Sequence, residues 1–230
     1  MIGALLLPVA AYTFRLASPT AATTIKPELP AVADRGLVFL IALFLFLYVG
    51  AEVSFAGWIF TYSVKLNLSS ATTAAYLTSL FWGSLTIGRM LMITAAARFK
   101  AGSILMTSLA GCLLSIGLMV ISPRSFASVL IGTAGLGLSM ASIFPTTLSY
   151  AGQQIRMTGQ LTGWIVLGSS AGAMIVPLII GQFFQSLGPS VLMTVIAVVL
   201  LGGVGALFSV LRRSPKMQTR TTLNFPAQQN

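Results

Sequence analysis

Apolar residues in this chain do not alternate, nor do they recur every three or four positions; they run on without a polar face. Such runs fill Arg35 to Lys65, Thr72 to Ala97, Ser103 to Ile121, Ser128 to Ala151, Gln160 to Phe184 and Val191 to Leu211, with a shorter one from Met1 to Phe14. A helix apolar on all sides needs a lipid or protein surrounding, and about 20 residues cross the hydrocarbon core of a bilayer. The pattern predicts an all-α membrane protein with six full transmembrane helices, preceded by one run too short to span. Between the short run and the first long one lies SPTAATTIKPELPAVADR, with three prolines and no apolar period, which reads as an irregular linker. The chain thus divides into a truncated helix at 1–15, a linker at 16–35, a six-helix unit at 36–211 and a polar, disordered tail at 212–230.

Composition sharpens this reading. With 56% hydrophobic and only 7% charged residues, the chain lacks the charge that a water-facing surface of its size requires. The net charge of +10 would suit a nucleic-acid binder if the cations shared one polar face, but they sit between and after the apolar runs. The partner they imply is the lipid bilayer. With the linker in the cytoplasm, the inner loops carry Arg15, Lys26, Arg35, Arg98, Lys100, Arg156, Arg212, Arg213, Lys216 and Arg220, and the outer loops only Lys65 and Arg124. Basic loops resist translocation, so the linker and C-terminus are expected in the cytoplasm. The Met1 run could pass for a signal peptide, but no cation precedes it and cleavage would invert the charge bias; it reads better as a truncated span. One Cys and no His exclude a disulfide scaffold and any His or Cys metal cluster. No resident cofactor is expected, and without paired intramembrane acids the chain does not read as an enzyme.

Inside the spans, polar residues are few. Glu52 is the only acid, 17 residues from Arg35 and 13 from Lys65, hence near mid-membrane. An unpaired acid there costs about 2.5–3.5 kcal/mol on insertion scales, so it is expected to face a cavity or a partner, binding a substrate hydroxyl or coupling an ion or proton. The bland alternative is a neutral, packing glutamate. Arg89, the only base clearly within a span, lies nine residues before Arg98. It and Glu52 should differ in depth by about 10 Å, so Arg89 reads as part of a cytoplasmic gate. Aromatic faces with nearby amides and hydroxyls suit a pyranose: the spans offer Tyr48, Ser54 and Tyr76, with Trp58, Tyr62, Trp82, Gln160 and Trp164 as the candidates, although Trp58, Tyr62 and Tyr76 equally suit an interfacial aromatic belt. Pro145 and Pro177 interrupt helices and are gate candidates or static bends. Most glycines read as helix-packing positions. Asn67-Leu68-Ser69 matches a glycosylation sequon, a weak signal this close to the membrane.

Three segments carry a resemblance. VGAEVSFAGWIFTYSVK (49–65), AAYLTSLFWGSLTIGRM (74–90) and GLSMASIFPTTLSY (137–150) resemble the C-terminal half of major facilitator superfamily sugar porters. The branch containing sodium-dependent glucose transporter-like proteins is the nearest in likeness, with fucose permeases more distant. The resemblance implies helices 7 to 12 of a twelve-helix fold, with the Met1 run ending helix 6 and an N-terminal half as partner. It implies alternating-access transport of a small polar solute, most naturally a monosaccharide, with Na+ or H+ as the coupling ion, in an integral membrane protein of the plasma membrane. Gly83, Gly88, Arg89 and Arg98 correspond to part of the superfamily's loop signature, without its acid. Another solute, or a seven-helix receptor, is the competing reading.

Overall fold

The computed structural model describes residues 35–96, 98–155 and 157–213. The Met1 run, the linker up to residue 34, Ala97, Arg156 and the tail beyond Arg213 therefore lie outside the described residues. Seven helices follow in order: α1 Arg35–Lys65, α2 Ala71–Ala96, α3 Ala101–Ile121, α4 Phe126–Met140, α5 Ile143–Gln154, α6 Gly159–Leu187 and α7 Val191–Arg213. Taken together, α4 and α5 form one broken 29-residue pass, leaving six passes linked by short connections. Five of the six are long and apolar enough to cross a membrane. The other, α2, has the length at 26 residues but is less apolar, because Thr, Ser and Arg89 interrupt it.

Local chemistry explains where the helices turn. Ser125 caps α4 by accepting from the Ser128 N–H, and Thr158 caps α6 by accepting from that of Leu161. At the α1–α2 corner, the Leu68 N–H donates to Ser63 O and that of Asn67 to Val64 O. Asn67 takes a left-handed φ of 52°, the C-terminal motif that favours Gly or Asn. The sequon asparagine thus closes a helix, and Ser69 of the same triplet bonds the Ser63 hydroxyl.

The bundle is organised around α1, which packs most extensively on α6, then on α7 and α2. Meanwhile α2 packs on α4, and α3 on α4, α7 and α5. Glycines set these crossings. A Cβ on Gly172 would overlap the Phe46 carbonyl, and one on Gly168 would stand 2.9 Å from that of Ala42, so α6 lies backbone to backbone on α1. Gly137 meets the Phe81 carbonyl and Gly88 meets Leu138 and Ala141, bringing α2 equally close to α4. Lipid tails are as apolar as leucine, so contact of this kind, rather than exclusion from water, holds such helices together.

Six alternating passes put Arg35, Arg98, Lys100, Arg212 and Arg213 at one end of the described bundle, and Lys65 and Arg124 at the other. The Arg213 guanidinium lies over Gly36, which ties the end of α7 to the start of α1.

Candidate functional site

The break between α4 and α5 follows from Pro145, the third residue of α5. Proline has no N–H for the Ala141 carbonyl, and its ring crowds that carbonyl, so the helix interrupts at Ala141–Ser142 and restarts with Thr146 N–H donating to Ser142 O. Each residue of the interruption is held by a different helix. Met140 ends α4, and its carbonyl accepts the Tyr48 hydroxyl of α1 at 2.9 Å. Ala141 packs on Gly88 of α2. The Ser142 hydroxyl bonds that of Ser108 on α3 at 2.6 Å. A helix end without such partners would leave polar backbone groups stranded in a dry core.

Glu52 stands one helical turn beyond Tyr48. It is buried, at 8% exposure, and is the one acid among the described residues. Its carboxyl neighbours the Tyr48 hydroxyl on the same face of α1 and lies in the electrostatic field of Arg89. Cys112 of α3, also buried, faces the same pair. Arg89 is exposed and forms no close ion pair with Glu52. Instead it lines a cavity of about 350 Å³ opening at the basic end, with Phe99, Ile104, Pro145, Thr146 and Ser149. Pro145 thus both causes the break and borders the cavity beside Arg89.

The remaining candidates do not converge on Glu52. Trp58 stacks on Phe184 of α6 with ring centroids 4.9 Å apart, and Tyr62 is buried toward the Lys65 end of α1. Trp82 is 43% exposed and sets its ring edge-on to Phe81, while Gln160 and Trp164 are exposed on the first turns of α6. Arg98 is exposed beyond the end of α2. Pro177 lies within an unbroken α6, half-buried next to Val176, which fills the notch at Gly50. Sequence alone did not single out Met140, Ser108, Ser142 or Cys112, since one is recruited through its backbone and the others are ordinary small core residues. The Pro145 position was the one signal pointing to their neighbourhood.

These features define a helical multi-pass membrane protein with an acid and its partners at mid-bundle, the class to which secondary transporters belong. Over 157 residues the chain is 36% identical to sodium-dependent glucose transporter 1 of Xenopus laevis, covering 68% of this chain and 32% of that protein. It is 32% identical over 186 residues to sodium-dependent glucose transporter 1A of Mus musculus, covering 78% of this chain and 44% of that protein. To human major facilitator superfamily domain-containing protein 4A it is 32% identical over 148 residues, covering 64% and 29%. No protein-family model matches the chain. The resemblance to major facilitator superfamily transporters is thereby shown over most of the described residues. The chain spans about a third of the length of the curated relatives it matches.

Proposed function

We propose that this chain forms the C-terminal, ion-coupling half of a twelve-helix secondary transporter that moves a monosaccharide across the plasma membrane by alternating access. The observation that carries the reading is Glu52, a buried carboxyl at mid-membrane between the Tyr48 hydroxyl and the field of Arg89. An acid retained at that depth against its desolvation cost is functional by default, and a buried carboxyl that can gain or lose a proton or small cation is what gradient coupling needs. The relatives named sodium-dependent glucose transporters support a hexose as solute and Na+ as the coupling ion, with H+ as the other candidate. Arg89, the cavity beside it and the break at Pro145 form the cytoplasmic gate in this reading. Gln160, Trp164 and Trp82, exposed in this bundle, face the complementary half and meet the sugar there, with Trp58 and Tyr62 supporting α1 from behind. Small hinge or rocking motions of one half against the other then alternate access to a fixed site.

The test uses the full-length transporter in proteoliposomes with labelled glucose. Glu52→Gln keeps shape and hydrogen bonding but cannot ionise, so it should abolish gradient-driven accumulation while leaving sugar exchange. Glu52→Ala should lose both. Wild-type accumulation in Glu52→Gln would overturn the coupling role, and absence of saturable uptake of any monosaccharide by the wild type would overturn the substrate.

A further inference from the structure

Tyr48 has one hydroxyl proton, which it donates to the Met140 carbonyl at 2.9 Å, and a second acceptor stands beside it, the Glu52 carboxyl four residues along the same face of α1. A phenol can donate only one hydrogen bond, so the two acceptors compete. We infer that Tyr48 is the positioning residue that transmits the charge state of Glu52 to the α4–α5 break, by donating to Met140 when Glu52 is neutral and to Glu52 when it is ionised. This rests on the coupling role proposed for Glu52 and names how that charge is read.

The chemistry sets the direction. A neutral carboxyl is a weak competitor for the phenol proton and can itself donate to the phenol oxygen, which leaves the arrangement seen here. An ionised carboxylate is a charge-assisted acceptor, roughly twice as strong as a neutral one, and takes the proton. The Met140 carbonyl, at a helix end in a dry core, then loses its side-chain donor. Of the three contacts that hold the break, those of Gly88 and Ser108 remain. The joint loosens on the pass that carries Pro145 into the cavity beside Arg89.

Few other charges intervene. The titratable groups facing this pair among the described residues are Arg89 of α2 and Cys112 of α3. Although it packs closely on α1, α6 contains no titratable side chain, and the only ones on α7, Arg212 and Arg213, are in its last turn. The signal that Tyr48 responds to is neutralisation of one negative charge, supplied by a proton or by a small monovalent cation.

The experiment places spin labels at L130C and Q153C, exposed positions on either side of the break, in the full 230-residue chain in lipid nanodiscs. Cys112 is buried and stays in place. Double electron–electron resonance then follows the distance distribution against pH in potassium buffer, and against added Na+ at fixed alkaline pH. Infrared spectroscopy follows the carboxyl group in parallel. Wild type should broaden as Glu52 ionises, and narrow again when Na+ is added if the cation serves; narrowing by protons alone assigns the signal to H+. Glu52→Gln should stay narrow at every pH. Tyr48→Phe should lose the response to both ions, whereas Ser108→Ala, which leaves Tyr48 intact, should retain it. A wild-type distribution that ignores ionisation of the carboxyl, or a Tyr48→Phe response matching wild type, overturns the inference. Failure of the function itself reads differently: coupled uptake in Glu52→Gln, while the wild-type chain still shows a spin-label response that Glu52→Gln and Tyr48→Phe lose, would remove the transport role and leave the Tyr48 link standing.

Discussion

At the scale of single residues, polar side chains in this bundle matter through the backbone groups they satisfy. Ser108 and Ser142 bond across α3 and the break at 2.6 Å, with Ser142 fully buried. Removing one partner of a buried hydrogen bond strands the other, at about 1–3 kcal/mol. Ser108→Ala should therefore lower the thermal unfolding midpoint of the detergent-solubilised protein, whereas Ser103→Ala, at an exposed position on the same helix, should not. Equal midpoints would show that Ser142 finds another partner. The candidates from sequence divide along the same line. Glu52 was legible as soon as the span around it was drawn, because an acid among apolar residues stands out. Tyr48 was legible only as one more aromatic hydroxyl for a sugar site, because the carbonyl it reaches, that of Met140, lies 92 residues away.

At the scale of elements, the crossings of α6 on α1 and of α4 on α2 depend on absent side chains. Gly172→Ala would drive a methyl group into the Phe46 carbonyl, which is backbone and cannot rotate away. Overpacking of this kind costs about 1–3 kcal/mol. On the same helix, Gly163 has nothing within 4 Å of where its Cβ would be. Gly163→Ala should accordingly be neutral or slightly stabilising in the same unfolding assay, since alanine is the better helix former. If the two variants behave alike, close approach is not what fixes the α1–α6 crossing. The sequence showed which helices are rich in glycine, but only packing distinguishes a glycine in a crossing from one facing outward.

For the molecule as a whole, the distribution of charge between the two ends of the bundle gives a topology that can be measured. Arg124 lies at the end that has one other described cation, Lys65; Lys100 lies at the end with four others. A membrane-impermeant maleimide should modify Arg124→Cys in intact cells and reach Lys100→Cys only after permeabilisation, with buried Cys112 contributing little background. The reverse pattern would invert the orientation, together with the assignment of Arg89 and its cavity to the cytoplasmic side.

Run length, loop charge and the lone acid were settled by the sequence, because each reflects the free energy of placing a side chain in hydrocarbon or in water, and that depends on residue type alone. The all-helical, multi-pass architecture belongs to this part. Pro145 likewise announced where a helix would be interrupted, since the missing N–H is a local property, whereas Pro177, expected to interrupt its helix too, sits inside the continuous α6. What Glu52 meets was decided only by the tertiary structure. Its neighbours Tyr48, Arg89 and Cys112 come from three helices, and the break that Tyr48 holds is clasped by two more contacts, from Gly88 and Ser108, that no local pattern encodes. In a bilayer the hydrophobic effect does not choose which apolar faces meet, so the choice falls to close packing at small residues and to the few polar groups that must find one another.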